Sequence, residues 1–408
     1  MRAGKPGPHF RKEIVMRQEK KTVVVGTVGA GYAARLHASG YEKVSKINVR
    51  LKTICDLNLT LANELKESFG YETATSDYDQ MLADPEIQVI DIITPPFLHC
   101  DMAIKALEAG KHVIVEKPLT GYFGKKGEQN VGLTTPRSVM YDEILKTMDR
   151  LKEVVERTGG KFMYAENHVY ATPVQRAAEI LKARKSKILY MRGELSLNGS
   201  SSALAGRWNG TGGGILMRNG THALSCMLWL KEQEAKNRGE NISIQSVVAD
   251  VGVTTACLTE YEKRHLLAHP EDVEDFSNMT VTFSDGTKGL TISSDTVLGG
   301  TRNYIDIYSN DGALQCNINP TDLLNSYFLD EEGMDDIEIS QWLPLKTGWN
   351  KVWVSDEIIR GYTGELQSFM EAVAYDTEPE SGFSLAYNTA KLLYAAYVSA
   401  EEGRRVSF

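Results

Sequence analysis

The residues best suited to chemistry fall into three short stretches of this 408-residue chain. One is Glu116-Lys117-Pro118, which follows the apolar run His112-Val113-Ile114-Val115. A lysine at the carboxyl end of a buried strand sits where open α/β sheets bind their ligands. Burial and neighbouring charges shift its pKa enough for proton transfer. The bond from Lys117 to Pro118 also tolerates the cis form. A second stretch is Gly29-Ala30-Gly31-Tyr32-Ala33-Ala34, a GxGxxA sequence between a β-branched run and a helix. Gly29 permits the tight turn, Gly31 lets a pyrophosphate approach the backbone, and Ala34 lets helix and strand pack closely. The helix opening at Tyr32 and Ala33 turns free N–H groups toward phosphates. Asp56 ends the next strand, where its carboxylate suits an adenosine ribose and repels a 2′-phosphate. Leu57 and Asn58 add no arginine, so NAD is favoured over NADP.

Thr94-Pro95-Pro96-Phe97-Leu98-His99 follows another short apolar run on the same sheet edge. Its tight turn is placed to pack against a nicotinamide ribose. Thr94, Pro95 and His99 therefore join Gly29, Gly31, Tyr32, Ala33, Asp56, Glu116 and Lys117 as candidate cofactor contacts. The third stretch is Gly212-Gly213-Gly214-Ile215-Leu216-Met217-Arg218-Asn219-Gly220-Thr221-His222. In a helix begun near Met217, Arg218 and His222 share one face. A guanidinium beside His222 lowers the imidazole pKa and favours the neutral ring, which can take a hydroxyl proton. A nicotinamide beside proton-handling Lys117 and His222 means alcohol–ketone redox chemistry.

The elements that position these groups follow from periodicity. From residue 22 to about 165, strands alternate with helices, which marks a parallel doubly wound sheet. Between Leu119 and Ser138 the pattern breaks into a glycine- and charge-rich connection, expected to be an active-site flap or an oligomer contact, with a plain mobile loop as the third alternative. After about residue 186, strands are expected at Ile188–Leu197, Ile242–Ala256, Met279–Phe283, Lys288–Ser294, Asn303–Tyr308 and Ala313–Ile318. Turns at 284–287 and 310–312 make hairpins of a mostly antiparallel sheet. Helices over Glu365–Tyr375 and Leu385–Glu402 close the chain. The expected organisation is a flexible extension over 1–20, a dinucleotide-binding Rossmann domain over 21–168, and a substrate-binding and oligomerisation domain over 169–408.

Composition narrows the class. The net charge of −9 argues against sequence-independent nucleic-acid binding. The five cysteines are scattered, with no metal-ligand spacing, which fits a reduced cytoplasmic protein without a bound metal. No apolar run reaches the roughly 20 residues of a membrane helix.

These stretches together resemble the glucose–fructose oxidoreductase, inositol dehydrogenase and rhizopine-catabolism (Gfo/Idh/MocA) family, from about Thr22 to the C-terminus. The carriers are Gly29-Ala30-Gly31, Asp56, Thr94-Pro95, Glu116-Lys117-Pro118, Gly212-Gly213-Gly214 with His222, and Glu402-Gly403-Arg404-Arg405-Val406. The resemblance implies a Rossmann domain followed by an α/β domain with a large open sheet, whose outer face makes contacts in a dimer or tetramer. It implies NAD-dependent oxidation or reduction of a sugar, cyclitol or glycoside, with Lys117 and His222 beside the reacting carbinol. Asn167 matches an asparagine near the ring, and Glu166, His168 and Arg218 would orient substrate. Trp208, just before the triple glycine, is expected either in the core or as a stacking face for sugar or nicotinamide. Arg218 departs from the family, which often carries an aspartate there, and hints at an anionic or unusual glycoside substrate. Two other readings use the same parts: an NAD-cycling glycoside-cleaving or 3-oxidising enzyme, and a non-catalytic dinucleotide-binding regulator, against which Lys117 stands.

Overall fold

A computed structural model describes residues 20–319, 324–332, 346–351 and 357–408. Apart from residue 20, the expected N-terminal extension lies outside them. The first part alternates β1 (Thr22–Val28), α1 (Tyr32–Glu42), β2 (Asn48–Cys55), α2 (Leu59–Phe69), β3 (Thr73–Thr75), α3 (Tyr78–Leu82), β4 (Val89–Ile92), α4 (Pro96–Glu108), β5 (His112–Glu116), α5 (Val131–Thr134), α6 (Arg137–Thr158) and β6 (Phe162–Ala165). Its six strands pair in parallel in the order β3-β2-β1-β4-β5-β6. Val25, Val89, Ile90, Ile92, Val113, Ile114 and Val115 are wholly buried. Strands covered on both faces have to be apolar at every position, which is why they read as continuous runs. The strand order reverses between β1 and β4, so the carboxyl ends of these strands open a ligand crevice.

The second part comprises α7 (Thr172–Arg184), β7 (Ile188–Ser196), α8 (Trp208–Thr211), α9 (Thr221–Arg238), β8 (Ile244–Gly252), β9 (Phe276–Phe283), β10 (Lys288–Ser294), β11 (Arg302–Ser309), β12 (Ala313–Asn317), β13 (Asn325–Phe328), β14 (Gly348–Lys351), α10 (Glu357–Arg360), α11 (Tyr362–Tyr375), α12 (Phe383–Glu402) and β15 (Val406–Ser407). Seven strands form a mixed, mostly antiparallel sheet in the order β12-β11-β7-β10-β9-β8-β15. Hairpins β9–β10 and β11–β12 form as the turn residues require. β7 inserts between the two hairpins and runs parallel to β10. The strand expected to reach Ala256 stops at Gly252, because Asp275 captures the N–H and hydroxyl groups of Thr254 and Thr255 in a tight turn.

The C-terminal helices bind the two sheets together. α11 packs on α1 and β1, while α12 touches α6 and β6 on one side and β8 and α9 on the other. The connection after Leu119 is likewise a strap, not an open loop. Tyr122 N–H donates to Tyr394 Oη at 2.5 Å, and Gly132 N–H donates to Asp272 Oδ2 at 3.0 Å. The Arg137 guanidinium lies 4.0 Å from the Trp208 ring centroid. α5 sits inside this strap, which sequence periodicity did not indicate.

Candidate active site

The turn after β1 is shaped by two glycines with different reasons to be glycine. Gly29 has φ +99°, and a Cβ there would lie 2.3 Å from the Ile93 carbonyl oxygen. Only glycine lets β1 pass this close to the end of β4. A Cβ on Gly31 would meet nothing within 4 Å. That space opens at the start of α1, whose first turn has no side-chain cap on its N–H groups. A dinucleotide pyrophosphate fits such a cradle. Asp56 braces the turn: Oδ2 accepts Ala30 N–H at 2.7 Å and Oδ1 accepts Asn58 N–H at 2.7 Å. Tyr32 is exposed beside it and Ala33 is half-buried.

Thr94 and Pro95 lie on the same edge and lead into α4. His99 does not face this crevice. Its ring is buried, with Nε2 at 2.7 Å from the Thr94 carbonyl and Nδ1 at 2.9 Å from the Pro118 carbonyl. It therefore ties two loops together, and the expectation of a direct cofactor contact is corrected: both ring nitrogens are occupied.

Lys117 ends β5, and the Lys117–Pro118 bond is cis. Its Nζ donates to the Arg218 carbonyl at 3.0 Å. Its N–H donates to Glu116 Oε2 at 2.8 Å. Glu116 Oε1 lies 3.3 Å from His37 Nε2, and His37 Nδ1 lies 3.0 Å from Asp91 Oδ2. Tyr41 Oη donates to the same Asp91 oxygen at 2.9 Å. Burial opposes a charge on His37, but the Asp91 and Glu116 carboxylates outweigh it and raise the imidazole well above its ordinary value. Burial pushes the Glu116 carboxyl up, yet the hydrogen bond and charge of His37 hold it below the usual range. This buried chain fixes the base of Lys117. Asp91, inside the apolar run of β4, was the one sequence sign of it.

His222 opens α9 after a π-helical turn over Leu216–Gly220. Its Nδ1 sits 2.6 Å from Glu166 Oε1. His168 stacks on it, with centroids 4.2 Å apart and planes inclined by 24°. His168 Nε2 in turn lies 3.0 Å from Asn303 Oδ1. Burial pushes Glu166 up to about 7. Burial, then the charge of Lys117, holds His222 well below an ordinary histidine. Burial likewise lowers Lys117, aided by Arg218 and Arg360 and resisted by Glu116 and Glu166. The lowering of His222 comes from burial and Lys117, not from Arg218 as the sequence suggested: Arg218 turns away and pairs with Asp295. Lys117, Glu166, His168 and His222 thus form one cluster. Glu166, His168 and His222 each offer a ligand atom, all within 4.8 Å of one another, a spacing able to hold a divalent ion. No cysteine or histidine spacing signalled this, because His222 comes from a segment far in sequence from Glu166 and His168.

Asn167 is buried beside the cluster, and its Nδ2 donates to the Arg360 carbonyl at 2.9 Å. Trp208 offers no stacking face. It is buried between the Arg137 guanidinium and the Tyr397 ring, whose centroid is 4.9 Å away. The triple glycine is explained by crowding: a Cβ on Gly214 would fall 2.0 Å from the Glu274 carbonyl oxygen. Glu274 accepts N–H groups from Gly214 and Leu216, each at 3.0 Å, and so locks the turn that leads to His222.

Comparison with known proteins agrees with this layout. A family model described as "Oxidoreductase family, NAD-binding Rossmann fold" matches residues 23–125, and one for the "GFO/IDH/MocA C-terminal domain" matches residues 175–315. Levoglucosan dehydrogenase of Pseudarthrobacter phenanthrenivorans is 27% identical, the match covering 92% of this chain and 95% of its own length. D-glucoside 3-dehydrogenase of Escherichia coli is 35% identical over 95 residues, 23% of this chain and 26% of its own. The crystal structure of GenD2 from gentamicin A biosynthesis, in complex with NAD, superposes with a TM-score of 0.75 at 22% identity, covering 95% of this chain and 97% of that one. Levoglucosan dehydrogenase with NADH and L-sorbose gives 0.67 at 22% identity, covering 95% and 99%.

Proposed function

The chain belongs to the Gfo/Idh/MocA family of NAD-binding oxidoreductases, and from that premise we propose that it oxidises, or in reverse reduces, a secondary carbinol of a sugar, cyclitol or glycoside. The observation that carries this reading is the cluster of half-buried Lys117 with buried Glu166 and His222 at the carboxyl edge of the nucleotide-binding sheet. The near-full-length likeness to a levoglucosan dehydrogenase supports a sugar-like alcohol. Gly29, Gly31, Tyr32 and Ala33 would hold the pyrophosphate of NAD, Asp56 the adenosine ribose, and Thr94, Pro95 and Glu116 the nicotinamide side. When bound, that group supplies the hydride acceptor.

The chain's own residues handle the proton. Nδ1–H of neutral His222 donates to the Glu166 carboxylate, which leaves Nε2 to accept the carbinol proton. The imidazolium then passes its Nδ1 proton to Glu166, whose carboxyl titrates at about 7. The Lys117 ammonium donates to the carbinol oxygen as negative charge develops on it. In reduction the protons travel back. Lys117→Ala and His222→Asn should each retain NAD binding by calorimetry and lose turnover; near-normal turnover in either variant removes that residue from the mechanism.

The remaining organisation belongs to the same proposal. Residues 21–168 serve the cofactor, and 169–408 serve substrate and self-association. Tyr190, Val248 and Leu290 are exposed on strands of the seven-stranded sheet and provide an apolar face for a dimer or tetramer. No helix among the described residues is long and apolar enough to cross a membrane.

A further inference from the structure

Two histidines turn a nitrogen to the same oxygen. Glu166 Oε1 lies 2.6 Å from His222 Nδ1 and 3.7 Å from Nδ1 of His168, the ring stacked on it. The shorter distance is a hydrogen bond and the longer one is not. His168 Nδ1 is buried and has no hydrogen-bond partner among the described residues. The other nitrogen of that ring, Nε2, lies 3.0 Å from Oδ1 of Asn303 on β11, a side chain only 6% exposed. Burial, then the charge of His222, holds His168 well below an ordinary histidine, so its ring is neutral. An amide oxygen only accepts, so Nε2 carries the single ring hydrogen and Nδ1 is left bare. The family resemblance implied that His168 orients substrate; its ring nitrogens are turned to Asn303 and Glu166 instead.

A bare nitrogen beside a carboxyl acts on its proton. The lone pair repels the ionised form and can accept the O–H of the protonated form. A hydrogen on that nitrogen would do the reverse: two rings would donate to one oxygen and hold Glu166 ionised. The other charged or titratable groups facing Glu166 are Lys117 at the end of β5, Tyr164 on β6, Cys226 on α9 and Glu365 on α11, while Arg360 on α10 faces His168. Burial raises Tyr164, Cys226 and Glu365, which favours their neutral forms. The Lys117 charge favours the ionised carboxyl. His168 is the neighbour placed to favour the protonated one.

We propose that Asn303 sets the proton affinity of Glu166 through His168, by holding the imidazole in the tautomer whose bare Nδ1 faces the carboxyl. Glu166 is thereby readied to take the Nδ1 proton of His222 as His222 Nε2 takes the carbinol proton; His168 gains and loses none. His168 and Asn303 are positioning residues, since they act through Glu166. The inference rests on the oxidoreductase reading above and adds to its relay the pair that tunes the acceptor.

Two variants test it. His168→Phe keeps a ring on His222 and removes the nitrogen. Asn303→Asp keeps the acceptor for Nε2–H and adds a charge that favours the imidazolium, whose Nδ1–H would donate to Glu166. Both should lower the proton affinity of Glu166. The acid limb of kcat/KM, at about 7 in the native protein, should move at least about one unit to lower pH, and plateau kcat should fall about tenfold, because one pKa unit is a factor of ten in the transfer equilibrium. A native-like limb in either folded variant, even with a lower plateau, means a merely structural role and overturns the inference. Nitrogen NMR of histidine-labelled, NAD-loaded protein reads the tautomer: His168 protonated at Nε2 is expected, and protonation at Nδ1 overturns the inference. If no sugar is turned over, the oxidoreductase reading fails, while infrared titration of the Glu166 carboxyl, identified by its loss in Glu166→Gln, still decides this one. The same midpoint in NAD-loaded native and His168→Phe protein refutes it.

Discussion

Glu166→Gln is the most revealing perturbation of the cluster. The amide keeps the volume and can still meet His222, but it cannot store a proton. What is lost is the charge on the acceptor of a 2.6 Å hydrogen bond, made by a fully buried carboxyl. A hydrogen bond to a charged group contributes about 1.5–3 kcal/mol, so at about 1.4 kcal/mol per tenfold, kcat should fall roughly 10- to 150-fold. The pH profile provides the second readout. Below about 7, Glu166 already holds a proton and cannot receive one from His222, so native kcat/KM falls as the pH drops through that region. The variant should lack this limb. Stability should move the opposite way. Burial raises the carboxyl from 4.5 to about 7, so the stabilisation of the protonated form is complete below 4.5 and is lost as pH rises through about 7. That difference amounts to about 3 kcal/mol. Glu166→Gln should therefore melt higher than the native protein on the alkaline side, with the gap closing in acid. Stopped-flow and steady-state kinetics across pH, beside thermal melts, check all three. A variant with kcat within about twofold of native and an unaltered pH profile would refute the relay.

Two further outcomes follow from the same geometry. Gly31→Ala should leave the melting temperature unchanged and weaken NAD binding, because its Cβ meets no protein atom; Gly29→Ala should destabilise the fold, because its Cβ runs into Ile93. Calorimetry and thermal melts separate the two cases. Zinc should inhibit turnover by drawing Glu166, His168 and His222 onto one ion, and a chelator should restore it; stimulation by zinc would instead make the triad a working metal centre.

What could be read in the sequence was what is encoded locally. The Gly29–Ala34 turn, Asp56 at a strand end, Lys117 after β5 and the two hairpin turns each depend on residues within one short segment. The pairings that give the site its chemistry depend on tertiary approach. Glu166, just after β6, meets His222 on α9, and Asp295 captures Arg218 from the end of β10. His37 of α1 bridges Asp91 of β4 to Glu116 at the end of β5. The charge of Arg360 bears on Lys117 and His222 from a four-residue helix that no periodicity marks. His99 was misread because an imidazole beside a motif looks available until the packing shows its nitrogens taken, and Trp208 takes the core position that competed with a stacking role.

The most direct measurement uses a sugar or glycoside carrying deuterium on the reacting carbon, mixed with the NAD-loaded protein, with the reduced cofactor and the sugar product analysed by mass. The account predicts that deuterium moves from carbon to cofactor in step with ketone formation, and that Lys117→Ala and His222→Asn abolish the transfer while still holding NAD. Tight NAD binding with no transfer from any member of a broad panel of neutral sugars, cyclitols and glycosides would contradict it.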